Sequence, residues 1–281
     1  MACNDIRIRI LVDNKGSAGL VEEHGFSAWI EVSGHRILFD TGQGKALVPN
    51  AAMLGCDLER VDMLVLSHGH YDHGGAVSKV LRIAQTTRVF CHAGSFLPRY
   101  SIRPGEAPRT ISMPLSDIEA ILDLPPNRVH WVTAPLQIIP DVGISGAIPR
   151  GHLQEDTGGP FFLDPDGRHP DLIKDDMAMW ILTDRGLIII TGCCHSGLIN
   201  TVEHIRSVSG VERVFGVIGG LHLVNASRER LEATCSALRK WNPEIVIPCH
   251  CTGEEATAFL YDKLGTIVTP GYAGLELQPM G

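Results

Sequence analysis

No CxxC pair occurs among the eight cysteines, which are Cys3, Cys56, Cys91, Cys193, Cys194, Cys235, Cys249 and Cys251. In a chain of 281 residues this argues against a disulfide framework. Long apolar runs are also missing, and none approaches a membrane span. The segment from Met1 to Asp5 enters an alternating strand with no basic stretch followed by an apolar one. No signal peptide is therefore expected, and the cytoplasm is the expected location. Basic residues are in deficit: 24 Lys and Arg against 32 Asp and Glu give a net charge of −8. That balance argues against a broad nucleic-acid surface, which would cluster Lys and Arg to displace counterions. Linker-like stretches and solenoid-period repeats are absent too. With 44% hydrophobic and 20% charged residues, the chain is expected to fold around a sizeable core as one unit spanning 1–281.

What the chain does contain is a dense run of metal-ligand chemistry, Ser67-His68-Gly69-His70-Tyr71-Asp72-His73-Gly74-Gly75. Imidazoles at His68, His70 and His73 and the carboxylate of Asp72 offer nitrogen and oxygen donors suited to zinc, iron or manganese. The run follows an apolar segment, Val61 to Leu66, that reads as a buried strand. The ligands then lie on a loop at its carboxyl end, where rigid backbone can aim them into a cleft. A surface histidine cluster is the alternative, and four ligand-type residues in six positions count against it.

Elsewhere the pattern alternates strands with helices. Ile6 to Val12 reads as a half-buried strand, Ala28 to Val32 and Arg36 to Phe39 as a hairpin, and Ala46 to Leu54 as a helix. Gly75 to Ala84 predicts a helix and Arg88 to Cys91 a strand, so His92 should emerge at the same sheet edge as His68. His92 is thus a candidate for metal or substrate contact. From Gly94 to about Pro126, six prolines punctuate a loop-rich insert that carries Arg99, Arg103 and Arg109. Those arginines are either solvated or natural partners for a phosphate. Short pieces at Val129 to Thr133, Leu136 to Ile139 and Gly159 to Leu163 suit a second sheet. Met177 to Leu182 and Leu187 to Ile190 form a further hairpin. Leu198 to Val208 and Ser227 to Lys240 read as helices, and Arg213 to Ile218 and Glu244 to Ile247 as strands. Each of the last three strands ends near a histidine: His195, His222 and His250.

His68-Gly69-His70-Tyr71-Asp72-His73 resembles the HxHxDH signature of the metallo-β-lactamase-fold hydrolases, and Phe39-Asp40-Thr41-Gly42 resembles that superfamily's Asp-Thr-Gly segment. Further stretches narrow the resemblance: Glu23-His24-Gly25-Phe26-Ser27, Thr191-Gly192-Cys193-Cys194-His195-Ser196-Gly197, Gly219-Gly220-Leu221-His222-Leu223 and Pro248-Cys249-His250-Cys251-Thr252-Gly253. Together they resemble the archaeal and bacterial branch named for 7,8-dihydropterin-6-methyl-4-(β-D-ribofuranosyl)aminobenzene-5′-phosphate synthase, an enzyme of methanopterin assembly. The resemblance implies an α/β fold, a four-layer αββα sandwich. It implies two divalent metal ions, zinc first, with His68 and His70 on one ion and Asp72, His73 and His250 on the other. It also implies that Asp40 supports the metal loop without binding metal, although an Asp at a strand exit can simply bond its own turn.

Two departures from that pattern stand out. Before Met177 the chain offers His169 and Asp176 but no clean third histidine, and the expected bridging Asp is Cys193. His195 is expected to replace the missing nitrogen donor, and Cys193 either bridges as a thiolate or ligates nothing. Cysteines beside His195 and His250 are otherwise explained as small buried thiols. His222 with Gly220 is expected at the substrate, the glycine permitting close backbone approach. Thr252 either joins them or caps the final helix. Asp72 would orient a water or shuttle a proton. The implied function is a metal-dependent enzyme acting on a small phosphorylated, dihydropterin-type substrate, by pterin transfer with release of pyrophosphate. Hydrolysis of phosphodiesters or esters is the alternative within the fold. A non-hydrolytic diiron or redox-sensing protein is the alternative of another class, motivated by the cysteines.

Overall fold

Alternation along Ile6–Val12 turns Ile6, Ile8 and Ile10 to one face, and their register against Ser27–Val32 sets Ile8 opposite Ile30. That pair opens a seven-stranded sheet in the order Glu276–Leu277, Ile6–Val12, Ser27–Val32, His35–Phe39, Met63–Val65, Arg88–Cys91 and Val129–Trp131. From His35–Phe39 onward its strands run parallel. A six-stranded sheet follows the order Ile245–Cys249, Val214–Gly220, Gly186–Thr191, Ala178–Thr183, Val142–Ile144 and Leu136–Ile139. Its first three strands are parallel, and Ala178–Thr183 pairs with Gly186–Thr191 as a hairpin. The computed structural model describes residues 5–152 and 154–278, so Cys3 lies outside the described residues.

The two sheets bury their facing sides against each other: Ile8, Ile30, Ile37 and Phe39 of the first meet Met179, Ile181, Ile188 and Ile218 of the second in one apolar core. Each outer face is covered by helices. Leu47–Met53, Val77–Ile83 and Leu115–Leu122 pack on the first sheet through Leu47, Val80 and Ile121. Leu198–Ser209, Arg228–Trp241 and Glu254–Leu264 cover the second through Val202, Leu238 and Leu260. The layers run helix, sheet, sheet, helix, as the hydrophobic patterns of both halves require. Among the described residues no helix is long and apolar enough to cross a membrane.

Two short strands lie elsewhere than their sequence suggests. Val129–Trp131 joins the first sheet, parallel to Arg88–Cys91, and not the second. The helix Leu115–Leu122, hidden in the proline-rich stretch, supplies the crossover that parallel pairing needs. Phe161–Phe162 belongs to a third sheet of two-residue strands, with Tyr100–Ser101 and Arg109–Thr110. Residues 94–126 therefore hold a 3-10 turn, two of these strands and a helix.

Parallel strands deliver their carboxyl ends to one side, and the ligand-type residues collect there. Asp40 follows Phe39, the His68–His73 run follows Val65, Cys193 and His195 follow Thr191, His222 follows Gly220 and His250 follows Cys249. Four of these exits leave the usual backbone regions, with φ of 58° at Asp40, 62° at Cys194, 45° at His222 and 47° at His250. Non-glycine residues take this left-handed conformation at a cost, and such strain gathers at functional sites.

Candidate metal centre

His68, His70, His73, His195 and His250 are all buried, and all five lie around one another with neighbouring ring centroids 4.3 to 5.1 Å apart. Their hydrogen bonds give each ring a direction. With its hydroxyl donated to Asp40 Oδ2 (2.6 Å), Ser67 accepts from His68 Nδ1 at 2.8 Å. His73 donates from Nδ1 to Asp40 Oδ2 at 2.7 Å, and His195 from Nδ1 to the Thr157 carbonyl at 2.8 Å. His250 Nδ1 lies 2.8 Å from Asn14 Oδ1, an oxygen that also accepts from the Gly25 amide. With the tautomers that this network assigns, Nε2 of His68 meets His70 Nδ1 at 2.9 Å, Nε2 of His73 meets Cys193 Sγ at 3.1 Å, and Nε2 of His195 and His250 turn inward without a partner. An oxygen on Nδ1 and a bare Nε2 is the arrangement that orients metal-binding histidines.

Buried nitrogen without a partner is costly, yet Nε2 of His70, His195 and His250 has no hydrogen bond. The donor atoms group closely: one atom each of His68, His70 and His195 lie within 4.8 Å of one another, as do those of His68, His73 and Cys193, and of Cys193, His250 and Cys251. A further set joins His24, Asp72 and His250. His24 Nε2 stands 3.1 Å and His250 Nε2 3.4 Å from Asp72 Oδ2. Nitrogen, thiol and carboxylate donors around a shared space fit divalent metal ions.

The electrostatics agree with neutral ligands at most positions. Burial, reinforced by the neighbouring imidazoles, pushes His68 and His195 well below the usual histidine range. Burial and Arg99 bring His70 down to about 3. His73 is the exception: burial lowers it, but the Asp40 carboxylate more than offsets this and raises it to about 9. Burial likewise works against the charged form of Asp72, while the neighbouring His24 and His250 imidazoles hold its carboxyl well below the usual range.

A hollow of about 270 Å³ opens above the cluster. Asp72, Cys193 and His250 reach it from below, and Tyr71, Arg103, Arg109, Phe161 and His222 line it. The Arg109 guanidinium lies 5.3 Å over the Tyr71 ring, and Phe161 sits 5.5 Å from His195.

Residues 20–171 match the family model of the metallo-beta-lactamase superfamily. The chain belongs to that superfamily. An uncharacterised protein of Methanocaldococcus jannaschii is 34% identical over 277 residues, 93% of this chain and 99% of its own. The same organism's 7,8-dihydropterin-6-methyl-4-(beta-D-ribofuranosyl)-aminobenzene-5′-phosphate synthase is 30% identical over 251 residues, covering 83% of this chain and 82% of that protein. Among solved structures, Tm1679, a metal-dependent hydrolase of the beta-lactamase superfamily, superposes with a TM-score of 0.82 at 29% identity, over 98% of this chain and 100% of that one. Superfamily members usually bind divalent metals, in keeping with the clusters described here.

Of the residues singled out in the sequence, His68, His70, Asp72, His73, Cys193, His195 and His250 converge on the cluster. Asp40 lies beneath it, fully buried, accepting from the Ser67 amide at 2.7 Å as well as from Ser67 Oγ and His73. His92 stands apart: its Nδ1 accepts from the Gly94 amide at 2.9 Å, and it borders a different hollow. Gly220 is close to protein and not to the open hollow, since a Cβ there would lie 2.4 Å from the Gly192 carbonyl and 2.6 Å from Cys251 Sγ. Thr252 accepts the Leu221 amide on its Oγ1 at 3.0 Å, holding the His222 loop, and the final helix receives no side-chain cap from it. His169 is exposed beside Asp164, whereas Asp176 is buried and accepts the Ser196 amide at 2.7 Å, next to His195.

Arg99 also departs from its phosphate expectation. Buried to 1% exposure, it pairs with Asp171 and Asp175. Asp175 in turn accepts the Gly69 amide at 2.9 Å, between His68 and His70. Three contributors went unassigned in the sequence: His24, Asn14 and Cys251. Their signal was position, since Asn14 follows the first strand, His24 precedes the second and Cys251 adjoins His250. Only the fold shows that those ends meet.

Proposed function

We propose that this chain is a metal-dependent transferase that couples a small phosphorylated, dihydropterin-type substrate to an aromatic acceptor with loss of pyrophosphate. The observation that carries the reading is the set of unpartnered imidazole nitrogens under a hollow walled by both cations and rings. The relative named as a pterin-ribofuranosylaminobenzene phosphate synthase supports the substrate class.

Two divalent ions, zinc first with iron or manganese as alternatives, would be held by His68, His70 and His195 and by Asp72, His73, Cys193 and His250. Ions so held supply Lewis acidity for phosphate oxygens and ease deprotonation of water. Arg103 and Arg109 bind the phosphate groups with charge-assisted hydrogen bonds. Tyr71 and Phe161 offer flat surfaces to a planar ring. His222 and Asn225 at the rim orient the substrate, and the hollow's walls limit water around it. In the transfer, a bond forms between the acceptor's amine nitrogen and the pterin methylene, the bond from methylene to pyrophosphate oxygen breaks, and the nitrogen sheds a proton. Asp72, ionised and held by His24, is placed to accept that proton.

Hydrolysis of a phosphodiester or ester is the second reading, favoured by the likeness to a metal-dependent hydrolase along nearly the whole chain. One assay separates them. Purified metal-loaded protein is given the dihydropterin-methyl pyrophosphate with and without an aminobenzene ribosyl phosphate, and pyrophosphate release is measured. Release that requires the acceptor supports transfer. Release that ignores it supports hydrolysis.

A further inference from the structure

Cys251 is assigned to neither ion in the proposed function, yet it meets Cys193 at the floor of the hollow. The two residues follow different strands of the second sheet and lie 58 positions apart in the chain. One donor atom each of Cys193, His250 and Cys251 falls within 4.8 Å of the others. The Cys251 thiol points back along the Cys193 loop, 3.5 Å from the Cys193 carbonyl. Both thiols border the hollow from which the cluster is reached. His250 brings a buried Nε2 without a hydrogen bond to the same space.

The approach of the two loops is built in at Gly220. A side chain there would place its Cβ 2.6 Å from Cys251 Sγ and 3.3 Å from the Cys193 Cα, so only a bare backbone lets the sulfurs draw together. Small buried thiols that merely fill space need no such clearance. A pair of sulfurs beside a bare imidazole nitrogen, by contrast, is a donor set for a soft or borderline ion.

We propose that Cys193 and Cys251 act together as a thiolate pair that holds, with His250, the ion on the second-sheet side of the centre. This rests on the reading of the cluster as a metal centre and adds a ligand to it. Two thiolates would favour zinc or ferrous iron over manganese and magnesium, which prefer oxygen ligands. They would also share His250 with Asp72, leaving that carboxylate freer to turn toward the hollow and His24.

Cobalt reports thiolate ligation directly, through sulfur-to-metal charge-transfer absorption. The protein is stripped with a chelator under reducing conditions, loaded with Co(II), and compared with its Cys193→Ser, Cys251→Ser and Gly220→Ala variants. Metal is counted in each, and circular dichroism confirms the fold. The expected result is a charge-transfer band that falls to about half in either serine variant, as two equal thiolate ligands require. Gly220→Ala, which keeps both cysteines, should lose a comparable part. A Cys251→Ser spectrum equal to the wild type, or complete loss of the band in Cys193→Ser alone, overturns the proposal. In either of those outcomes, two bound metals and acceptor-dependent pyrophosphate release would still uphold the proposed function, so the two readings fail separately.

Discussion

Asp40 holds His73 through a 2.7 Å hydrogen bond in which both side chains are fully buried. The same carboxylate takes the Ser67 amide and hydroxyl, so one side chain fixes the start and the end of the metal loop. Asp40→Asn keeps the size but replaces an acceptor oxygen with a donor. Metal affinity should fall about 10- to 100-fold, as it does when the oxygen behind a metal-binding histidine is lost. Competition with a chromophoric chelator measures this, and an unchanged affinity would remove Asp40 from the site's support.

Arg99 makes a contrasting case, because its partners are inside the protein. Replacing it with Met leaves Asp171 and Asp175 without their guanidinium in a buried setting. Breaking such a pair from one side costs about 3–5 kcal/mol. Denaturant unfolding should show that loss, along with weaker order at Gly69, whose amide binds Asp175. Stability equal to the wild type would contradict the buried pairing.

Arg103 and Arg109, at the hollow, should behave in the opposite manner. Alanine at either position should leave unfolding unchanged and raise KM for a phosphorylated substrate by about tenfold, the value of one exposed charge-assisted hydrogen bond. Steady-state kinetics on the two variants decide it. An effect confined to kcat would point away from phosphate binding.

His195 brings a nitrogen donor to His68 and His70 in a chain that lacks the superfamily pattern's third histidine before Met177. Elemental analysis of His195→Ala should therefore find about one metal per chain where the wild type is expected to hold two, since three donors on one side are cut to two. Removing both ions with a chelator should lower stability, by about 2.7 kcal/mol for ions present at a hundred times their dissociation constant. Two metals retained in the variant would assign the first ion to other ligands.

Legibility in the sequence followed the strength of local pattern. The metal loop could be read because ligand-type residues crowd six positions after a buried strand. The second half could be read because Leu198–Ser209 and Arg228–Trp241 carry helical periodicity between apolar strands. The stretch 94–126 could not, because two-residue strands have no periodicity and their pairing with Phe161–Phe162 is a long-range contact. Val129–Trp131 has the same weakness, and its sheet was set by a crossover helix that prolines obscured. Arg99 looked like its neighbours Arg103 and Arg109. Only tertiary packing separates a buried arginine from two that face the hollow. Gly220 was expected at the substrate, but the space its missing side chain leaves is taken by the Gly192 carbonyl and Cys251 Sγ.

The ligand-bearing loops are drawn from both sheets, His68 to His73 from one and Cys193, His195 and His250 from the other. Neither half of the polypeptide owns a finished site. Bound metal would thus act as a rivet across the seam, and its presence would certify that both halves have come together correctly. A chain cut anywhere between the two groups of ligands should yield fragments that are each chemically mute, and only their reunion would restore tight metal capture.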